Sequence, residues 1–178
     1  PLVSQAIADQ DDKRLEGLLK KSASNLLIVS GFIAVVINVN LTDFYTLVNQ
    51  PGYASAFWVV SLISIGKLYS MTMGCVNTII SNSNLYHYVF WFSLLGAFMA
   101  VVLNILFIER YGIMGAAWAT LLVMFFINSL KLILVGYRLR IHPFSPKMGI
   151  TISLVLLCYF IFISFNLAMH PVANILIK

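Results

Sequence analysis

Charged side chains all but vanish from this chain beyond its first twenty or so positions. Residues 22–42, 44–66, 68–108 and 148–177 carry none at all. A helix that crosses hydrocarbon needs about 20 mostly apolar residues, because about 30 Å is covered at about 1.5 Å per residue. A helix in a soluble core is instead interrupted by charge every turn or two. Five apolar stretches of the required length fit here, at about 22–41, 54–80, 86–108, 113–137 and 149–169, and the final residues enter another apolar run. The pattern predicts an all-α fold, a polytopic transmembrane helix bundle of about five spans plus a truncated sixth. Because the chain opens at Pro1 without a methionine and stops inside an apolar run, a piece of a longer protein is expected.

Composition narrows the function classes. The hydrophobic fraction is 61% and the charged fraction 10%, against about 45–50% and about 25% for soluble domains. The net charge of +5 does not point to nucleic acid. Lys13, Arg14, Lys20, Lys21, Arg138, Arg140 and Lys147 fall in two segments flanking apolar spans, as expected of basic loops retained in the cytoplasm, and no aromatic-interleaved basic groove accompanies them. Both clusters fall on one side if residues 1–21 and 138–147 are cytoplasmic and the nearly uncharged 42–53 loop is outside. Residues 1–21 are therefore a cytoplasmic connector and 22–178 the transmembrane part. Within the connector, Leu15, Leu18 and Leu19 recur at helical spacing and Glu16 precedes Lys20 by four, so 9–21 forms an amphipathic helix at the membrane surface or a solvated helical connector. Turn residues at 49–52, 81–84, 110–112 and 142–146 separate the spans.

The polar groups inside the spans carry the functional question. Lys67 stands at the middle of the 54–80 stretch, out of easy reach of either interface. A lysine at the centre of an isolated span costs about 2.5–3.5 kcal/mol on insertion scales, so its ammonium must meet a wet cavity or a partner. Ser64, Lys67, Ser70 or Met71, Gly74, Asn77 and Ser81 recur at three- and four-residue spacing and share one helix face; Leu62, Ile65, Tyr69 and Val76 take the other. Such a stripe suits an aqueous path that offers positive charge to an anion. The competing reading is a lysine paired with a carboxylate on a helix outside this chain. Lys131, near the end of its span, either snorkels to the interface or joins the cavity. The cavity candidates are Lys67, Ser64, Ser70, Asn77, Ser81 and Lys131. Asn128 suits either a bond across helices or a substrate contact.

Small residues suggest where helices approach closely. Gly96, Ala100 and Asn104 line one face of the third span, and Gly112, Gly115, Ala116 and Ala119 open the fourth, with amides and hydroxyls expected to bond across helices. Cys75 and Cys158 lie in spans without ligand spacing and read as small buried hydrophobes. His87, His142 and His170 share no spacing and sit at span ends. No paired carboxylates, nucleophile elbow, phosphate-cradling loop or metal motif occurs. No catalytic residue, metal or cofactor is therefore expected.

Residues 104–122, Asn-Ile-Leu-Phe-Ile-Glu-Arg-Tyr-Gly-Ile-Met-Gly-Ala-Ala-Trp-Ala-Thr-Leu-Leu, resemble a motif of the polysaccharide-biosynthesis flippases. These belong to the multidrug/oligosaccharidyl-lipid/polysaccharide exporter superfamily. Gly66-Lys67-Leu68 with Met73-Gly74-Cys75-Val76-Asn77-Thr78-Ile79-Ile80-Ser81-Asn82-Ser83 is similar to a second block of the capsule and O-antigen exporters, and Pro1-Leu2-Val3-Ser4 to the loop before the third helix of a lobe. Glu109 and Trp118 depart from that pattern, which has proline and a small aliphatic residue there. The resemblance implies part of the carboxy-terminal lobe of a larger transporter in the bacterial inner membrane. It further implies alternating-access export of an undecaprenyl-pyrophosphate-linked sugar unit, with Lys67 among the cationic residues of a central cavity. Partners implied are the lipid-linked oligosaccharide, membrane lipids, and possible polysaccharide polymerase and glycosyltransferases, with no nucleic acid. The alternatives are a cation-coupled multidrug exporter of the same superfamily, which would be expected to hold acids in its cavity, and a non-transporting scaffold of a polysaccharide-assembly complex.

Overall fold

A computed structural model describes residues 2–48 and 56–164. Within them the elements are α1 (Leu2–Ala8), α2 (Asp12–Val48), α3 (Ala56–Met71), α4 (Val76–Asn82), α5 (His87–Tyr111), α6 (Ile113–Leu139) and α7 (Pro146–Ser164). Helices α2, α5, α6 and α7 are each long and apolar enough to cross a membrane, and α3 with α4 passes the same test as a pair bent by 51°. The chain is an all-α, multi-pass membrane protein.

The long helices pack in a row whose order differs from the sequence: α5 against α6, α6 against α3, α3 against α2, and α2 against α7. A row of this kind has two broad faces, so much apolar surface stays open. Phe32, Trp58, Phe90, Phe98, Ile105, Ile133 and Phe160 are all exposed, and α5 contains no buried residue. Such exposure would be untenable in water and is ordinary against lipid.

Burial concentrates at one end. Ala6 of α1, Leu15 and Leu19 of α2, Met73, Val76, Ile79, Ile80, Leu85, Val135 and Ile141 form one cluster, with Leu19, Val76, Ile79 and Val135 fully enclosed. This corrects the expectation of a surface-lying 9–21 helix. Asp9–Asp11 interrupt the helix, with Gln10 in the left-handed region (φ 52°). The Asp11 carboxylate then accepts the Arg14 backbone N–H at 2.9 Å, a cap that starts α2. From there α2 runs without a break through the expected connector boundary at 21 and through 42–48 of the expected outer loop. The leucines face α4 and the end of α6, which offer more apolar contact than a membrane surface on one side only. His142 Nε2 lies 3.8 Å from Glu16 Oε1, so the two basic segments meet at the same end of the bundle.

The expected second span is also corrected. It is not continuous over 54–80 but breaks at residues 72–75. Gly74 has φ +57°, and a Cβ there would press on the backbone of Ala23 in α2. Close passage of α2 holds this turn in a conformation suited to glycine. The fifth span starts at Pro146, earlier than expected. The turn at 49–52, the end of the fifth span, His170 and the further apolar run lie outside the described residues.

Candidate functional site

Helix α3 contributes the middle of the site and is held from both sides. Toward α6, Gly66 allows close approach, since an added Cβ would stand 3.2 Å from Leu121 and Met124 side-chain atoms. Two polar bonds then cross the same seam. Asn128 Nδ2 donates to Ser70 Oγ at 2.7 Å, and the Tyr69 and Ser129 hydroxyls lie 2.7 Å apart. Tyr69, placed on the apolar face by spacing alone, is thus a seam residue. Toward α2, the helices touch through Ala34, Ser64 and Leu68 and open on either side of that line into two grooves.

Lys67 lines one of these grooves, about 400 Å³ in volume, with Ser30, Ile37, Ile63, Ser64 and Met71. Its side chain is exposed, and among the described residues it forms no ion pair. Taking α3 and α4 as one bent span, Lys67 remains near its middle. A single ammonium and two hydroxyls in an otherwise apolar groove present an unbalanced positive charge where the local dielectric is low.

The expected stripe divides at the break. Ser64 and Lys67 face the groove, Ser70 is taken up by Asn128, and Asn77, just past the break, accepts from Lys131 Nζ at 3.0 Å. Gly74 serves the turn, and Ser81 is exposed on α4. Lys67 and Ser70 are three apart on α3, and Asn128 and Lys131 three apart on α6, so each pair shares a helix face. The Ser70–Asn128 and Lys131–Asn77 bonds, with these shared faces, line the five residues up as one polar track, Lys67–Ser70–Asn128–Lys131–Asn77, running beside the Tyr69–Ser129 bond. Lys131 is therefore half-exposed and bonded across helices rather than extended into solvent. Sequence spacing left Asn128 ambiguous; its offset of three from Lys131 is the signal that puts both on the face of α6 turned to α3 and α4.

The packing candidates separate into two kinds. An added Cβ on Gly96 would stand 3.4 Å from Ile127, and one on Gly115 would strike the Phe107 carbonyl. Ala119 is fully buried, while Ala100 and Ala116 are half-buried. Gly96 thus meets α6 and Gly115 meets the end of α5 at close range. Gly112 is different: it has φ +58° with open space around it, and its N–H bonds Ile108 O at 2.9 Å. It makes the one-residue turn between α5 and α6. The expectation of cross-helix bonds fails for Asn104, whose Nδ2 donates to Ala100 O at 2.7 Å, and for Thr120, which bonds Ala116 O at 2.8 Å. Both saturate a carbonyl of their own helix, which costs less ordering than reaching a neighbour. Cys158 is likewise corrected, being exposed rather than buried, and Cys75 is half-buried.

Among the described residues no group of three His, Cys, Asp or Glu side chains could hold a metal. Compared with family models, curated proteins and solved structures, the chain matches none.

Proposed function

We propose that this chain forms part of a bacterial inner-membrane transporter for an anionic, lipid-linked oligosaccharide destined for surface polysaccharide. The substrate class is that of the flippases its 66–83 and 104–122 segments resemble, an undecaprenyl-pyrophosphate-linked sugar unit. The single observation that carries this reading is the Lys67 ammonium, unpaired among the described residues and set in an apolar groove. Such a groove suits a hydrocarbon chain, and its cation suits a pyrophosphate. The polar track onward to Lys131 offers the same charge further along the bundle. On this reading residues 1–21 and 138–147 are cytoplasmic, and alternating access moves the substrate past Lys67. Polysaccharide polymerase and glycosyltransferases are then the neighbouring partners. A cation-coupled drug exporter is less favoured, because among the described residues no carboxylate lines either groove beside α3.

The test replaces charge while keeping length. Lys67→Met should reach the membrane at normal abundance and lose surface polysaccharide, and Lys67→Arg should retain part of the export because the charge remains. If Lys67 is instead half of a buried ion pair, Lys67→Met strands a carboxylate and lowers folded protein, by about 3–5 kcal/mol for a fully broken pair. Normal abundance with normal export would remove Lys67 from the mechanism.

A further inference from the structure

A second basic feature lies away from the Lys67 groove, at the end of the bundle where the buried cluster sits. Lys131 and Arg138 are seven residues apart on α6, which is two turns and one face, with a rise of about 10.5 Å. Both face neighbouring helices rather than carboxylates. Lys131 Nζ donates to Asn77 Oδ1 of α4 at 3.0 Å, and Arg138 Nη2 donates to the Tyr88 hydroxyl of α5 at 3.5 Å. Neither forms an ion pair among the described residues. Elsewhere at this end two of the basic groups on α2 are neutralised, Arg14 by Asp9 at 3.4 Å and Lys20 by Glu16 at 2.6 Å. Lys13 and Lys21 form no ion pair among the described residues and, unlike Lys131 and Arg138, are not held by a neutral partner on another helix. Neutral partners orient a cation without cancelling its charge, so α4, α5 and α6 hold two oriented, uncompensated cations.

The depth of the feature indicates what meets it. Tyr86 and Tyr137 flank Tyr88 and Arg138 in sequence and are 63% and 81% exposed, and the Tyr86 and His87 rings lie 4.4 Å apart. Exposed tyrosines at span ends mark the headgroup level of a bilayer. Arg138 is itself exposed at that level, and the long stem of Lys131 covers part of the two-turn rise from below. Basic clefts between spans at this depth take lipid headgroups.

We propose that Lys131 and Arg138, with Asn77 and Tyr88 as their neutral supports, form a binding site for the phosphate of an anionic phospholipid in the adjoining leaflet. The site shares Lys131 with the end of the polar track but lies outside the Lys67 groove, and its occupancy does not depend on transport. Arg138 meets the phosphate with its planar fork of donors. Lys131 can exchange Asn77 for a phosphate oxygen, which links lipid occupancy to the helix just beyond the break in the second span.

The probes are phosphatidylglycerol and phosphatidylcholine, each added to delipidated protein in detergent and counted as retained lipid by native mass spectrometry. The wild-type chain should retain phosphatidylglycerol preferentially. The double variant Lys131→Gln, Arg138→Gln should lose about thirtyfold of that preference, the scale expected for two interfacial basic residues. Arg138→Lys should keep most of it. Lys67→Met should leave it unchanged, so the outcome is independent of the transport reading. Glutamine at 131 can still bond Asn77, and an unchanged melting temperature confirms that the double variant is folded. Excess inorganic phosphate should fail to displace the lipid. An unchanged preference in the double variant, an equal loss in Arg138→Lys, loss in Lys67→Met, or full displacement by inorganic phosphate would each overturn the proposal.

Discussion

The outer face of α5 and the face bearing Lys67 are both open and both belong to apolar spans, yet they are built differently. On α5 the exposed positions include Phe90, Trp91, Leu94, Phe98, Val101 and Ile105, an apolar surface whose one mid-span hydroxyl, Ser93, bonds back to Val89 O of its own helix at 2.8 Å. Beside α3 the open or half-open positions include Ser64, Lys67, Asn77 and Lys131, and bonds from Asn128 to Ser70 and from Lys131 to Asn77 cross to α6 among them. Exposure alone therefore does not identify a lipid-facing surface. Hydrocarbon accepts the α5 face without cost, whereas it penalises each polar group of the other face. The two faces call for different surroundings, and that difference can be broken by substitution.

The largest effect should come from exchanging the character of the two faces. Phe98→Lys places an ammonium near the middle of α5, away from any polar track, and should cost about 2.5–3.5 kcal/mol of insertion. Ser64→Asn adds polarity to the other face and should leave the membrane-inserted fraction close to wild type. Equal losses, measured by quantifying inserted protein, would place both faces in the same environment.

A smaller effect tests the seam that supports the α5 face. Gly115→Ala pushes a methyl group against the Phe107 carbonyl and should cost about 1–3 kcal/mol as overpacking. Gly149→Ala is the matched control, because a Cβ there meets nothing within 4 Å. Thermal unfolding in detergent should separate them, and coincident curves would mean that α5 and α6 are looser than described.

Smaller still is the loss of one cross-helix bond. Asn128→Leu removes the donor to Ser70 and should destabilise by about 0.5–1.5 kcal/mol. Asn104→Leu removes only a bond to its own helix and should be nearly neutral. A reversed order would show that the polar track is not what ties α6 to α3.

Much of this architecture is legible in the sequence. Charge-free runs give the spans because the bilayer imposes length directly, and three-residue spacing put Ser64 and Lys67 on a common face. What sequence could not carry were relations between distant segments. Gly74 reads in sequence as one more small residue of the stripe that carries Lys67; the break it makes depends on the backbone of Ala23, about fifty residues earlier. Tyr69 looked apolar-facing until Ser129 supplied a partner. Asn104 and Asn128 are the same residue type in similar contexts, and only the neighbouring helix decides which one reaches across. The row order of the helices is likewise a matter of which faces fit, not of chain order.

Thiol labelling tests the central claim, that Lys67 gives its groove a preference for anions, most directly. In a background of Cys75→Ala and Cys158→Ala, Ser64→Cys and Phe98→Cys are exposed to anionic and cationic methanethiosulfonate reagents in membranes. The account predicts that Ser64→Cys reacts, faster with the anionic reagent, and that Lys67→Met abolishes this preference while Phe98→Cys stays inert. A Ser64→Cys variant as inert as Phe98→Cys, or one that reacts with no charge preference, would contradict it.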